Sequence, residues 1–234
     1  MSKRVPTLYF NFRSPYSWMA VRRLRELLPD ADRRVVFRPY WDADDDTAKA
    51  VADRDAEILY VPMSKAKHLY ILGDTKRIAA RFGYPMKWPV DIGNPWWERP
   101  HLAWLRARRL GAGREFYDAV VAARWERAEN VCDEEVLARL ATSVGLDAGE
   151  LLSAAQDEQI RAEGVDALVD AYHDDVFGAP YFKLGRQRFW GLDRVADFVA
   201  ALEARDDPDP VAGAPTAVLT RVGGYDRDTA GGCG

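Results

Sequence analysis

The chain has 234 residues, enough for one sizeable domain or for a domain that carries a large insertion. Its 33 basic and 37 acidic residues give a net charge of −4 without a long basic run, which argues against a nucleic-acid partner. No apolar segment is long enough to span a bilayer, and polar residues interrupt any N-terminal secretory signal. We therefore expect a cytoplasmic protein with no membrane partner.

The first predicted elements are a buried strand and an amphipathic helix, joined by a sharp turn. Residues 8–12 are rich in aromatic strand formers. Ser14 is a favoured N-cap, and Pro15 suits the first helical position, where a missing N–H costs nothing. The helix that follows has one predicted apolar face, formed by Trp18, Val21, Leu24 and Leu28. A turn at 29–32 and a second strand at 35–39 complete a β-α-β unit.

The middle of the chain is predicted to be almost entirely helical. Segment 41–54 is acidic and typical of a surface loop or a short helix, and 88–99 is irregular and rich in Trp. Apolar spacing and capping residues predict helices over 64–83, 100–110, 114–126, 134–144, from 147 onward, and 157–172.

Extended structure returns near the C-terminus, with strands predicted at 180–184 and 187–190 and a final helix after them. The order β-α-β, helical block, β-β-α is the outline of an α/β, thioredoxin-like fold with a large all-helical insertion. Beyond Arg205 the chain lacks periodicity, which predicts a loosely ordered tail. The predicted parts are a thioredoxin-like domain at 1–41 and 176–204, a helical insertion at 42–175 and a tail at 205–234.

Three short motifs contain the residues that are best suited to bind a ligand or to take part in catalysis. They are Tyr9-Phe10-Asn11-Phe12-Arg13-Ser14-Pro15-Tyr16-Ser17, Val176-Phe177-Gly178-Ala179-Pro180 and Trp190-Gly191-Leu192-Asp193-Arg194. At a helix N-terminus, the Ser14 hydroxyl can either cap its own helix or hold an anion. Pro180 stands at a strand start, where a cis bond could turn the backbone of Ala179 toward an extended, peptide-like ligand. Asp193 can either meet an amino group or cap the last helix.

Together these motifs resemble the DsbA-like thioredoxin superfamily, over residues 7–204. Within it, the chain is most similar to 2-hydroxychromene-2-carboxylate isomerases and the related kappa-class glutathione transferases. The disulfide oxidoreductases of this superfamily carry Cys-Pro-x-Cys at the first turn, where this chain has Ser14 and Ser17 in the cysteine positions. Because a serine cannot form a disulfide, dithiol exchange at this turn is excluded.

The resemblance implies a thiol-dependent isomerase with glutathione or another low-molecular-weight thiol as cofactor. Its small-molecule substrate would be an aromatic or polyketide-like unsaturated ketone, and its assembly a homodimer. The residues that the resemblance assigns to the thiol are Ser14 for the sulfur, Ala179 and Pro180 for the cysteinyl backbone, and Asp193 and Arg194 for the γ-glutamyl end. Segment 42–54 lacks the Asn that these isomerases carry near a Pro-Pro pair, which leaves the identity of the thiol open.

Two other functions stay open at this point. A kappa-type glutathione transferase or peroxidase would use the same contact between Ser14 and a thiolate, and a transferase would release a conjugate. A non-catalytic thioredoxin-fold binding protein would keep the peptide-binding edge at Pro180 and need no thiol.

Further candidate residues have weaker signals. Arg38, Lys67 and Tyr84 could contact the substrate. Arg38 could instead pair with surface acids, and exposed helix positions have the same appearance as Lys67 and Tyr84. The tryptophans at 88, 96 and 97 could wall a flat substrate, but packing under an irregular loop is the favoured interpretation. The three histidines lack metal-ligand spacing and are interpreted as solvated or capped residues, so no metal is expected. Cys132 is interpreted as a small, partly buried residue and Cys233 as an inert member of the tail.

Overall fold

The computed structural model of the chain describes residues 5–206 except 90 and 92. The strands of its sheet are β1 Thr7–Phe10, β2 Val36–Pro39, β3 Tyr181–Leu184 and β4 Gln187–Trp190. They lie in the order β2-β1-β3-β4, with β1 parallel to β2 and the other two pairs antiparallel. The β-α-β and β-β-α units therefore meet at the centre of the sheet, where β1 pairs with β3.

Helices connect and flank these strands. The α-helices are α1 Pro15–Leu27, α2 Ala31–Arg34, α3 Asp45–Ala52, α4 Lys65–Phe82, α5 Glu98–Arg109, α6 Gly113–Val121, α7 Glu134–Ser143, α8 Ala148–Leu152, α9 Glu158–His173 and α10 Val195–Asp206. A π-helix, Ala122–Glu126, continues α6, and two 3-10 helices lie at Ser153–Ala155 and Leu192–Arg194. Ser or Asp side chains cap most of the longer helices, and Gly83, with φ of 69°, ends α4.

The core lies between the sheet and the helices that cover it. Phe10 packs edge-on against Trp104 of α5 and Tyr117 of α6, with ring centroids 4.9 and 5.1 Å away. Phe182 lies 4.9 Å from Phe198 of α10. The predicted apolar face of α1 is confirmed, since all four of its residues are buried. Polar contacts join the opposite face of the sheet to α9 and the residues just after it. The helical segment thus packs directly on the sheet, and the division of the chain into domains stays a prediction.

The structure differs from the sequence prediction in a few places. The turn predicted at 29–32 contains the one-turn helix α2, closed by a hydrogen bond from the N–H of Val35 to the carbonyl of Ala31. The tail was predicted from residue 205, but α10 continues to Asp206 because buried Leu202 anchors its last turns. The rest of the predicted tail, including Cys233, lies outside the described residues. None of the described helices has the length and apolar composition needed to cross a bilayer.

Candidate active site

The Ser14 hydroxyl lies where the chain turns from β1 into α1, at the N-cap of the helix. Its extended backbone (φ −91°, ψ 117°) lets Oγ accept the backbone N–H of Ser17 at 3.2 Å. The same Oγ donates to the carbonyl oxygen of Ala179, also at 3.2 Å. Ser14 is half-buried, so this hydroxyl caps its own helix and stays beside the loop that enters β3.

Two of the three motifs therefore touch, although Ser14 and Ala179 are 165 positions apart in the sequence. The peptide bond between Ala179 and Pro180 is cis. The carbonyl of Pro180 accepts the N–H of Gly191 at 3.1 Å, which brings the third motif to the same end of the sheet. The pairing of β1 with β3 causes this convergence, because it places the end of β1 next to the start of β3.

Asp193 and Arg194, the residues assigned to the γ-glutamyl end of a thiol, lie on the short 3-10 helix after Gly191. Both side chains are about half exposed, and they form an ion pair with each other at 2.9 Å. The structure thus places them near the convergence point but turned toward solvent, paired with each other. Their contact with a ligand stays a prediction.

The turn before Ser14 is held from beneath by a buried histidine. The backbone N–H of Phe12 donates to Nε2 of His101 at 3.1 Å, and Nδ1 of His101 lies 2.6 Å from the carbonyl oxygen of Trp97. Because Nε2 accepts, the ring must be neutral with its proton on Nδ1, which donates to Trp97. Burial lowers the pKa of His101 to about 4, in keeping with a neutral ring.

A second buried side chain holds the same turn. Trp125, in the π-helix, donates its indole N–H to the carbonyl oxygen of Phe12 at 3.2 Å. Both polar backbone groups of Phe12 are thus satisfied by side chains from the helical insertion. This role of His101 differs from the sequence prediction, in which the histidines are solvated or capped residues. The signal was present: Trp97 and Leu105, four residues before and after His101, are apolar, so the helical repeat places it on the buried face.

The three predicted substrate contacts lie in three different places. Arg38, on β2, forms an ion pair with Asp170 of α9 at 2.6 Å. Tyr84 is buried under α1, with the guanidinium of Arg22 4.4 Å from its ring centre. Lys67 is half-buried in the first turn of α4. The structure does not bring these residues together, and a role for any of them in substrate binding stays a prediction.

One carboxylate links α4 to the start of α1. Asp74 accepts hydrogen bonds from the hydroxyl of Tyr16 at 2.9 Å and from the hydroxyl of Tyr70 at 3.2 Å. Arg77 also donates to it, at 3.1 Å. Tyr16 follows Pro15 directly, so α4 is joined to the first turn of the helix that Ser14 caps.

The structure gives no support for redox or metal chemistry by side chains within the described residues. Cys132 is buried there, and burial raises the pKa of its thiol to about 12, so it is protonated at neutral pH. Within the same residues, no three His, Cys, Asp or Glu side chains converge as metal ligands.

Comparison with known sequences agrees with this architecture. The family model described as a DSBA-like thioredoxin domain matches residues 7–203. The chain is 30% identical to 2-hydroxychromene-2-carboxylate isomerase from Sphingobium xenophagum over 194 residues, which cover 82% of this chain and 93% of that protein.

Solved structures agree as well. The selenomethionine structure of a 2-hydroxychromene-2-carboxylate isomerase superposes with a TM-score of 0.68 at 21% identity, covering 86% of this chain and 96% of that one. A probable DsbA oxidoreductase from Streptomyces coelicolor superposes with a TM-score of 0.64 at 21% identity, over 89% and 93% of the two chains. These matches confirm the predicted fold and the predicted resemblance.

Proposed function

Because the chain belongs to the DsbA-like thioredoxin family, we propose that it is an isomerase that depends on a low-molecular-weight thiol such as glutathione. The proposed reaction is similar to that of 2-hydroxychromene-2-carboxylate isomerase, and the proposed substrate is a small aromatic or polyketide-like unsaturated ketone. One observation carries the proposal. The Ser14 hydroxyl, at the N-terminus of α1, lies within hydrogen-bond distance of Ala179, beside Pro180.

The residues at this place fit a thiolate. The N-terminus of α1 carries a partial positive charge, and the Ser14 hydroxyl is a donor beside it. The N–H of Ser17 polarises that hydroxyl, which strengthens it as a donor. A hydrogen bond to an anion is worth about 1.5–3 kcal/mol, which would lower the pKa of a bound thiol by about one to two units. Such a shift would populate the thiolate near neutral pH.

The entry to β3 supplies the second half of the proposed site. Ala179 is half-buried next to Ser14, and its backbone would hold the cysteinyl backbone of the thiol. In that complex the Ser14 hydroxyl would donate its hydrogen bond to the sulfur instead of to the Ala179 carbonyl.

When bound, the thiol would supply the sulfur nucleophile for reversible conjugate addition, which frees the former double bond to rotate. The chain's own residues would stabilise the anion and orient the two reactants. Ser14 performs the first task in this proposal, and the rigid turn around Phe12 keeps its hydroxyl in place.

Replacing Ser14 tests the proposal. We expect Ser14→Ala to reduce thiol-dependent turnover of 2-hydroxychromene-2-carboxylate by about tenfold to a hundredfold, the rate equivalent of one charge-assisted hydrogen bond. Turnover is followed by ultraviolet absorbance with glutathione or mycothiol, together with recovery of the free thiol. A Ser14→Ala variant with wild-type thiol-dependent turnover would contradict the assignment.

Ser64→Ala is the matched control. Ser64 caps α4 in the same way, with Oγ accepting the N–H of Lys67 at 3.3 Å. This variant loses a helix cap and keeps Ser14, so its turnover should match that of the wild type.

A product that retains the thiol would favour the transferase instead. Calorimetry that detects no binding of either thiol would favour a non-catalytic binding protein.

A further inference from the structure

A buried guanidinium lies close to the turn that carries Ser14. Arg124 belongs to the π-helix and is 3% exposed. Its Nε and Nη1 atoms are buried and have no hydrogen-bond partner among the described residues. Buried donors without acceptors are rare in folded proteins, and those of a charged group carry a particularly large desolvation penalty. An acceptor that bonded to these donors would remove that penalty.

The protein compensates this charge only in part. Asp91 Oδ1 lies 2.6 Å from Nη2 of Arg124, but this oxygen also has no hydrogen-bond partner, so the contact is close without being well directed. Burial lowers the pKa of Arg124 because desolvation outweighs the attraction of Asp91. Asp91 also faces a second cation, since its Oδ2 lies 3.8 Å from Nε of Arg13. Asp91 thus lies between two guanidinium groups, of which Arg13 also pairs with Asp42 at 2.9 Å.

Two indole rings lie close to the guanidinium of Arg124. The guanidinium carbon of Arg124 lies 4.9 Å from the ring centre of Trp97 and 5.2 Å from that of Trp125. The indole N–H of Trp97 is itself buried without a hydrogen-bond partner among the described residues. Neighbouring side chains therefore present three unpaired donors, two from Arg124 and one from Trp97. Flat aromatic walls around a fork of donors suit a planar, conjugated acid.

These side chains contact the same turn of chain that carries Ser14. Trp125, the next residue after Arg124, bonds to the carbonyl of Phe12. The guanidinium of Arg13, which directly precedes Ser14, lies 5.7 Å from the ring centre of Trp97. The same turn of chain thus connects the Ser14 site to the Arg124 cluster.

We propose that Arg124 and the indole N–H of Trp97 form a subsite that binds the carboxylate of a planar, conjugated substrate. This inference rests on the proposed function and assigns the acidic end of the substrate to named residues. The incoming carboxylate accepts from Nε and Nη1 of Arg124, while Arg13 stays paired with Asp42 and Asp91. The name of the Sphingobium relative includes a carboxylate, which is consistent with an acidic substrate.

Binding of an unreactive probe, without thiol, tests the subsite separately from the proposed reaction. The probe is trans-cinnamate, a planar conjugated carboxylate, and its neutral amide is the comparison ligand; both are titrated by calorimetry. We expect the wild type to bind cinnamate and Arg124→Gln to weaken that binding by at least about tenfold, the loss expected for one charge-assisted pair. Binding of cinnamamide should change little.

Two further variants keep the proposal testable if Arg124→Gln does not fold. Asp91→Asn removes the competing carboxylate and should tighten cinnamate binding severalfold. Arg124→Lys keeps the charge but loses the planar fork of donors, and it should bind cinnamate more weakly than the wild type.

Arg106→Gln is the matched control. Arg106 is also largely buried with an unpaired Nε, but its terminal nitrogens already pair with Glu150 and Asp157. This change should leave cinnamate binding unaltered.

Several results would overturn the proposal. They are a wild type that does not bind cinnamate, equal binding of cinnamate and its amide, and an Asp91→Asn variant that binds no more tightly. Any of them would mean that Arg124 and Trp97 do not bind the carboxylate of a planar acid. If no thiol binds but cinnamate binding follows the expected pattern, the proposed reaction fails and the carboxylate subsite stands.

Discussion

On one side of the turn that carries Ser14, buried groups from the helical insertion hold the chain. On the other side, α4 reaches the same turn through polar contacts near the surface. The first side uses His101, which is fully buried, and Trp125, both bonded to the backbone of Phe12. The second side uses the hydroxyl of Tyr16 and the carboxylate of Asp74.

The two sides differ in the free energy that is lost when their hydrogen bonds are broken. A broken hydrogen bond in the core leaves a donor or acceptor that water cannot reach, whereas near the surface water replaces the lost partner. The outer part of α4 is also open to solvent, with Leu69 and Tyr70 more than half exposed. The difference indicates that the turn carrying Ser14 is held more firmly by the buried contacts than by those of α4.

The largest expected effect on stability comes from replacing the buried His101. His101→Ala should lower the free energy of unfolding by about 3–5 kcal/mol, because it leaves the Phe12 N–H and the Trp97 carbonyl unpaired and opens a cavity beside the ring of Trp41. Urea unfolding followed by circular dichroism measures this loss. His68→Ala, on the exposed side of α4, is the matched control and should stay within about 0.5 kcal/mol of the wild type. Similar losses in both variants would remove the distinction between the two sides.

The same histidine predicts how stability depends on pH. His101 has a pKa of about 4 in the folded protein, below its ordinary value of 6.5. Between these values the unfolded chain binds a proton that the folded protein does not, so acid favours unfolding. The contribution is fully present above pH 6.5 and should fall by about 3 kcal/mol as the pH drops to about 4.

A variant that cannot titrate isolates this contribution. His101→Gln should unfold with a shallower dependence on pH between about 6.5 and 4 than the wild type, in urea titrations at matched ionic strength. Equal slopes for the two proteins would show that His101 is protonated as easily in the folded protein as in the unfolded chain.

The smallest expected effect lies on the α4 side. Tyr16→Phe removes the hydroxyl that donates to Asp74 and should lower the free energy of unfolding by about 1 kcal/mol. Tyr70→Phe removes the more exposed hydroxyl on the same carboxylate and should change it by less than about 0.5 kcal/mol. Thermal unfolding of the two variants side by side compares them. A loss for Tyr16→Phe as large as that for His101→Ala would show that α4 also holds the turn rigidly.

Much of the candidate site could be predicted because it depends on residues with strong local preferences. Ser14 and Pro15 start a helix almost regardless of context, and Pro180 belongs at a strand start. The thioredoxin-like outline implies a sheet in which β3 lies beside β1, and the observed pairing of these strands brings the residues together. The positions of Arg38 and Tyr84 could not be found this way. Each depends on which neighbour its side chain meets, an acidic residue of α9 for Arg38 and the underside of α1 for Tyr84.

By itself, the sequence determined the order of strands and helices, the start of α1 at Ser14 and the exclusion of dithiol exchange at that turn. These properties follow from the backbone preferences and chemistry of single residues, which act over a few positions of the chain. The tertiary structure decided that His101 and Trp125 hold the turn and that Arg124 is buried beside it. Hydrogen-bond partners arise from helices packed at long range, so no local pattern records which buried polar atoms are paired and which are not.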